Sequence, residues 1–121
     1  MIVAGFGFRA AATPASLHAA LSATGVTLPA ALAAPADKCA APAFQAFAAD
    51  LGLPVIAISP DALAAAETHT RSPRVNAARG TGSVAEAAAL SAAGQNARLI
   101  CPRVVSTDRM ATCALAEGMT S

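Results

Sequence analysis

Three groups of residues in this chain are suited to chemistry by type and spacing. The first is Gly5-Phe6-Gly7-Phe8-Arg9-Ala10, a GxGxxA pattern that directly follows a short apolar run. Glycines there either let a strand end turn sharply or let the backbone approach a pyrophosphate at the start of a helix. The dinucleotide pattern also needs an acid about 20 residues further on, at the end of the second strand. From Ala10 to Ala36 there is no Asp or Glu, and the next helix signal starts at Pro14 instead of at the glycines. A sharp turn is therefore the favoured account of Gly5 and Gly7, with a nucleotide-binding module as an alternative. Arg9 would stand at the carboxyl end of a first parallel strand, where open α/β sheets receive ligands.

The second group runs from Arg71 to Ser83, with Arg71, Ser72, Arg74 and Arg79 leading into Gly80, Gly82 and Ser83. Guanidinium forks, free backbone N–H groups and the positive end of a helix could converge here on an anion. Seven Arg against one Lys bias the chain toward planar, bidentate recognition of carboxylate or phosphate. No GK[ST] closes the glycine run, so it is not a P-loop. The third group is Asp37-Lys38, where the only lysine follows a predicted strand and could reach the same sheet edge. Ser83 and Glu86 match a capping box, which gives them a helix-starting role beside any contact with a ligand.

Classical catalytic sets are sparse. His18 falls in a predicted helix and His69 in a loop, and there is no GxSxG elbow. Cys39, Cys101 and Cys113 stand in no CxxC spacing, so they read as small buried hydrophobes with reduced thiols, and neither a metal site nor a protein-held cofactor is expected.

The elements that must hold these residues follow from patterning. Ile2 to Phe8 reads as a buried strand, and Thr13-Pro14 starts a helix from Ala15 to Thr24 with Leu17, Ala20 and Leu21 on its inner face. Leu28 to Cys39 suits a short strand and loop. A second helix spans Ala43 to Leu51 and ends at Gly52, and Pro54 to Ile58 is the strongest strand, apolar on both faces as central parallel strands are. Ser59-Pro60-Asp61 caps a short helix through Glu67, and Thr68 to Gly82 is a polar loop of functional length. A helix from Ser83 to Gly94 precedes a strand at Leu99 to Cys101, a turn at Ser106-Thr107-Asp108 and a last strand at Arg109 to Leu115. The alternation predicts a single domain over residues 1–121: a three-layer α/β/α sandwich on a mixed, mostly parallel sheet of about five strands with an antiparallel edge strand.

Composition narrows the function. With 55% hydrophobic and 12% charged residues the chain is not disordered, and a net charge of +1 gives no reason to expect nucleic acid or an anionic membrane. Aromatics at 3%, without Trp or Tyr, remove stacking platforms for bases. The uncharged stretch from Ala10 to Ala36 is broken by Pro14, Pro29 and Pro35, which makes a poor membrane span. Arg9 follows the first apolar run instead of preceding it, unlike a secretory signal, so a cytoplasmic protein is expected. Nearly a third of the residues are alanine, which limits burial per residue and leaves room for a homodimer as added stabilisation.

The ordered set Gly5-Phe6-Gly7-Phe8-Arg9, Asp37-Lys38, Leu51-Gly52-Leu53-Pro54, Gly82-Ser83-Val84-Ala85-Glu86-Ala87-Ala88-Ala89-Leu90 and Leu99-Ile100-Cys101-Pro102-Arg103 resembles the cobalamin-biosynthesis CobE family, equivalent to the C-terminal domain of CbiG. The resemblance spans nearly the whole chain, and the Gly-Ser-Val-Ala-Glu block is its most specific part. It implies a place in cobalamin biosynthesis and a ligand class, corrin or precorrin intermediates, whose rings carry acetate and propionate carboxylates. Larger CbiG proteins have further N-terminal domains and take part in opening a lactone on a cobalt-bound precorrin. This chain lacks those domains, and Cys39, Ala40, Ala41 and Pro42 stand where family members tend to carry an acid after the lysine. The resulting expectation is a carrier or accessory protein of the aerobic pathway, with other pathway enzymes as further partners. An enzyme acting on the ring is the alternative. Arg9, Lys38, Arg71, Arg74 and Arg79 are the candidate carboxylate contacts.

Overall fold

Apolar runs punctuated by proline and glycine give, in chain order, β1 (Ile2–Phe8), α1 (Pro14–Ala23), β2 (Ala31–Pro35), α2 (Ala36–Cys39), α3 (Pro42–Leu51), β3 (Val55–Ile58), α4 (Val84–Ala93), β4 (Arg98–Val105) and β5 (Ala111–Glu117). The computed structural model describes residues 2–26, 28–62, 84–94 and 97–118. The predicted loop from Thr68 to Gly82, the rest of the helix expected through Glu67, and the Ser83 cap lie outside the described residues. Of that helix, residues 60–62 are described and helical, and Ser59 Oγ accepts the Ala62 N–H at 3.2 Å as a cap should.

The helix starts form for the local reasons that the sequence advertises. Thr13 is extended, its Oγ1 accepts from Ser16 N, and Ser16 Oγ accepts from Thr13 N, both at 3.2 Å. This reciprocal capping box satisfies two N–H groups that the helix itself cannot, and Pro14 supplies a first position that needs no donor. Gly52 ends α3 in the left-handed region, φ 69°, where a Cβ would be strained.

The five strands lie in the order β3-β2-β1-β5-β4. β1, β2 and β3 are parallel, with Val3 opposite Ala31 and Leu32 opposite Val55. β5 runs antiparallel to β1 from Ile2↔Glu117 to Phe8↔Ala111, and antiparallel to β4 on its other side. The reversed strand thus sits one place in from the edge, and β4 takes the edge itself. The expectation that Pro54 to Ile58 is a central strand is corrected: β3 closes the other edge, with Val55 40% exposed. An apolar, β-branched run reports what a strand buries on its faces, and it carries no information about how many neighbours flank it. The centre belongs to β1, whose far side is taken by the final hairpin. Leu28 to Cys39 resolves into β2 and the short helix α2.

Helices cover both faces, so the three-layer α/β fold is as expected. Alternation along β1 sends Ala4 and Phe6 to the side of α1 and α3, and Val3 and Gly5 to the side of α4. On the first side Phe6, Phe44 and Phe47 are fully buried, with Phe6 and Phe47 centroids 5.1 Å apart and the rings 73° to one another. Leu17, Ala20 and Leu21 complete this core from α1, as the sequence predicts. The second side is built of small residues: Ala85, Ala87, Ala88 and Ala89 are all 0% exposed. Cys113 is buried on β5, which pushes its thiol far above the usual range and leaves it a small core hydrophobe. Among the described residues no helix is long and apolar enough to cross a membrane.

Candidate functional site at the carboxyl edge of the sheet

The parallel strands deliver their carboxyl ends, Phe8, Pro35 and Ile58, to one edge of the sheet. The β4–β5 turn reaches the same edge because Val105 and Ala111 flank it and Ala111 pairs with Phe8. Arg9 extends that pairing, its N–H donating to Met110 O at 2.9 Å. Lys38, carried by α2 directly after β2, places Nζ 5.3 Å from the centroid of the Phe8 ring. An ammonium over an aromatic face is held there by the ring's quadrupole while its charge stays available to an anion. Phe8 is itself braced by Phe44, parallel within 13° at 5.5 Å.

Beside this cation lies an open cleft of about 430 Å³ lined by Phe8, Ala10, Ala12, Thr13, Pro14, Ala41, Pro42 and Ala43. Its walls are the starts of α1 and α3, and α3 has Ala41 at its N-cap, which offers no side-chain cap. The cleft is mostly apolar, and its Phe8 wall is the ring over which the Lys38 ammonium lies. The described ion pairs, His18–Asp50 at 3.3 Å and Arg98–Glu117 at 3.4 Å, involve none of Arg9, Lys38, Arg103 or Arg109. Burial pushes the Cys39 thiol above its ordinary value, and the thiol donates to Ala34 O at 3.5 Å, so next to Lys38 it stays neutral and no ready nucleophile. Among the described residues no group of three His, Cys, Asp or Glu could hold a metal ion.

The structure brings Arg9 and Lys38 to one edge and sends other expected residues elsewhere. Gly5 is in mid-strand beneath α4: a Cβ there would lie 2.2 Å from Ala85 O and 2.4 Å from Ala89 N. The reading of these glycines as a sharp turn is corrected, because both lie inside β1 and Gly5 serves the close approach of a helix. The space that a pyrophosphate would occupy against Gly5 is filled by helix backbone. Gly7 is less crowded, with Thr112 Oγ1 3.1 Å from a built Cβ and donating to Gly7 O. Glu86, in the first turn of α4, accepts the Arg103 N–H of β4 at 3.0 Å. The register of β4 slips on either side of Cys101, which frees that N–H from the ladder. Arg71, Ser72, Arg74, Arg79, Gly80, Gly82 and Ser83 lie outside the described residues; the flanking described elements, β3 ending at Ile58 and α4 starting at Val84, both meet the carboxyl edge.

The sequence reading missed the Asp108 clamp. Ser106 Oγ donates to Asp108 Oδ1 at 2.5 Å, Ser16 Oγ donates to Oδ2 at 2.6 Å, and Met110 N donates to Oδ1 at 3.0 Å. Ser16 and Ser106 are the buried polar residues described, 1% and 3% exposed, and each finds its partner in this carboxylate. The hydrogen bonds from Ser106, Ser16 and Met110 hold the Asp108 carboxyl below its ordinary value of 3.8. A depressed folded-state value means stability that is present above about pH 4 and lost as pH falls further. Asp108→Asn is expected to lower the unfolding midpoint at neutral pH and to differ progressively less from the wild type below about pH 4. Thermal melts of both proteins from about pH 3 to about pH 7 check this, and a gap that does not narrow in acid contradicts it. The signal in the sequence was Ser106-Thr107-Asp108, a good turn whose long-range partner, Ser16, no local pattern reveals.

An open α/β sheet of this kind belongs to the class of architectures whose ligand crevices lie outside the carboxyl ends of the strands. Residues 2–116 match the family model described as Cobalamin synthesis G C-terminus, and the chain belongs to that family. The crystal structure of cobalamin biosynthesis protein chiG from Agrobacterium tumefaciens str. C58 is similar over 99% of this chain and 100% of that one, at 33% identity and a TM-score of 0.78. The crystal structure at 1.7 Å resolution of CobE, a protein from the cobalamin (vitamin B12) biosynthetic pathway, is similar over 100% of this chain and 92% of that one, at 33% identity and a TM-score of 0.76. No curated protein sequence matches this chain.

Proposed function

We propose that this cobalamin-biosynthesis protein binds a corrin or precorrin intermediate through its carboxylates, as a carrier or accessory protein of the pathway. The observation that carries the reading is the Lys38 ammonium poised on Phe8, next to Arg9 and an open apolar cleft at the carboxyl edge. A corrin-type ring offers a broad apolar face with carboxylate arms at its periphery. The cleft would take part of the face, and Lys38 and Arg9 would each take an arm, by charge-assisted hydrogen bonds. No step of bond making is required of the residues at this edge.

The test is a visible-absorption titration of hydrogenobyrinic acid with the purified protein, followed by product analysis of the mixture. A saturable spectral shift is expected, with affinity falling roughly tenfold in Lys38→Ala and several-fold in Arg9→Ala, since a hydrogen bond to a charged partner contributes about 1.5–3 kcal/mol when shielded and less at the surface. Unchanged ligand after binding identifies a carrier, whereas turnover identifies an enzyme. A spectrum left unaltered at high protein concentration refutes the proposal.

A further inference from the structure

The turn between β4 and β5 uses only half of the Asp108 carboxylate. Oδ1 accepts from Ser106 Oγ at 2.5 Å and from Met110 N at 3.0 Å, which meets the needs of the turn locally. Oδ2 is spare to the turn and accepts from Ser16 Oγ at 2.6 Å, on a residue 92 positions earlier in the chain. Ser16 is 1% exposed, and a hydroxyl so deeply buried needs a partner of this kind.

Both oxygens lead on to the loop that joins β1 to α1. From Oδ2 the path runs through Ser16, whose Oγ also accepts the Thr13 N–H at 3.2 Å and so holds the end of the loop. From Oδ1 it runs through Met110, whose N–H is on the carboxylate and whose carbonyl accepts the Arg9 N–H at 2.9 Å, where the loop begins. Between these two points the chain turns tightly, with Ala12 N donating to Arg9 O at 3.0 Å. The loop and the start of α1 supply Ala10, Ala12, Thr13 and Pro14 to the lining of the cleft. Alanines have no long side chain with which to anchor such a loop, so its place is set through its backbone ends.

Taking the ligand from the proposed function, we propose that Asp108 is a positioning residue of the cleft: its one carboxylate fastens both ends of the β1–α1 loop and so fixes the wall against which the ring is received. A wall ordered before the ligand arrives need not be ordered at the expense of binding, which is how Asp108 strengthens affinity through Ser16 and Met110.

The experiment uses the whole chain with hydrogenobyrinic acid as the probe, in wild type, Asp108→Ala, Asp108→Asn and Val3→Ala. Asp108→Ala releases both ends of the loop, so the Arg9 and Thr13 amides should exchange with solvent about tenfold faster, and the visible titration should show about fivefold weaker binding. Asp108→Asn keeps an oxygen for Met110 N and an amide for Ser16 Oγ, so it should recover most of the affinity although it loses stability with the charge. Val3→Ala removes buried surface on the α4 side, at the other end of β1 from Arg9. It should melt lower than wild type, yet bind as wild type does and leave those two amides unchanged. Wild-type affinity or wild-type exchange in Asp108→Ala overturns the assignment, as does an equal loss of affinity in Val3→Ala, which would make the effect one of stability alone. If the wild type binds no ring, the proposed function falls by itself, and exchange then decides for Asp108: faster exchange in Asp108→Ala upholds its hold on the loop, and unchanged exchange overturns it.

Discussion

Gly5→Ala is expected to destabilise the fold by at least about 3 kcal/mol, although it adds one methyl group. The methyl would be placed 2.2 Å from Ala85 O, 2.4 Å from Ala89 N and 2.9 Å from Ala89 Cα. All three are backbone atoms of one helix, so no rotamer change can make room. α4 must move off the sheet as a body, and its alanines, which fit only because the helix lies so close, lose their contacts with Val3 and Ala33. Gly7→Ala is the control: its nearest neighbours are the Thr112 hydroxyl at 3.1 Å and a Val84 methyl at 3.5 Å, both side-chain atoms that can shift. For a domain of this size the first change should lower the unfolding midpoint by on the order of 10 °C or more, and the second by a few degrees. Equal midpoints for Gly5→Ala and wild type would show that α4 does not rest on β1 as described.

Phe47→Ala should cost about 3–5 kcal/mol. Phe47 is fully buried and joins three elements: it meets Phe6 of β1 at 5.1 Å, Phe44 of α3 at 6.2 Å and His18 of α1 at 4.7 Å between centroids. With so few aromatics in the chain, no other large side chain can swing into the cavity left behind, and the small neighbours Ala20 and Ala48 cannot fill it. The edge-to-face contacts contribute beyond their buried area, so Phe47→Leu should still lose about 1 kcal/mol or more. Urea unfolding of the two variants measures both effects, with a lower midpoint and a little-changed slope as the expected result. A loss below about 1 kcal/mol for the alanine variant would mean that the aromatic face contributes far less than its burial implies.

Features set by neighbours in sequence were readable before the fold was known. Thr13-Pro14 and Gly52 mark helix ends through groups a few residues apart, and Phe44, Phe47 and Leu51 share a helix face by spacing alone. The α/β alternation and the arrival of Arg9 and Lys38 at one edge follow from the same logic, since parallel strands joined by helices must end together. What could not be read depends on partners far along the chain. The exposed edge position of β3 is decided by β5 pairing with β1, and the role of Gly5 by a helix that starts at Val84. Glu86 has a further partner that spacing could not show: its carboxylate accepts the N–H of Arg103, freed from the ladder where β4 is bulged. Asp108 reads as an ordinary turn residue until α1 brings Ser16 against it.

The pairing of β1 with β5 governs when the molecule can become itself. Ile2 lies opposite Glu117, so of the five strands described the first in chain order waits for the last before the middle of the sheet closes. Contacts so distant along the chain make for slow folding, because the intervening loop must be ordered before they form. On a ribosome the α1, β2, α3 and β3 segments emerge with one flank of β1 still bare, and they can only hold a provisional arrangement. The finished domain, with its basic edge, is assembled after the final strand leaves the exit tunnel.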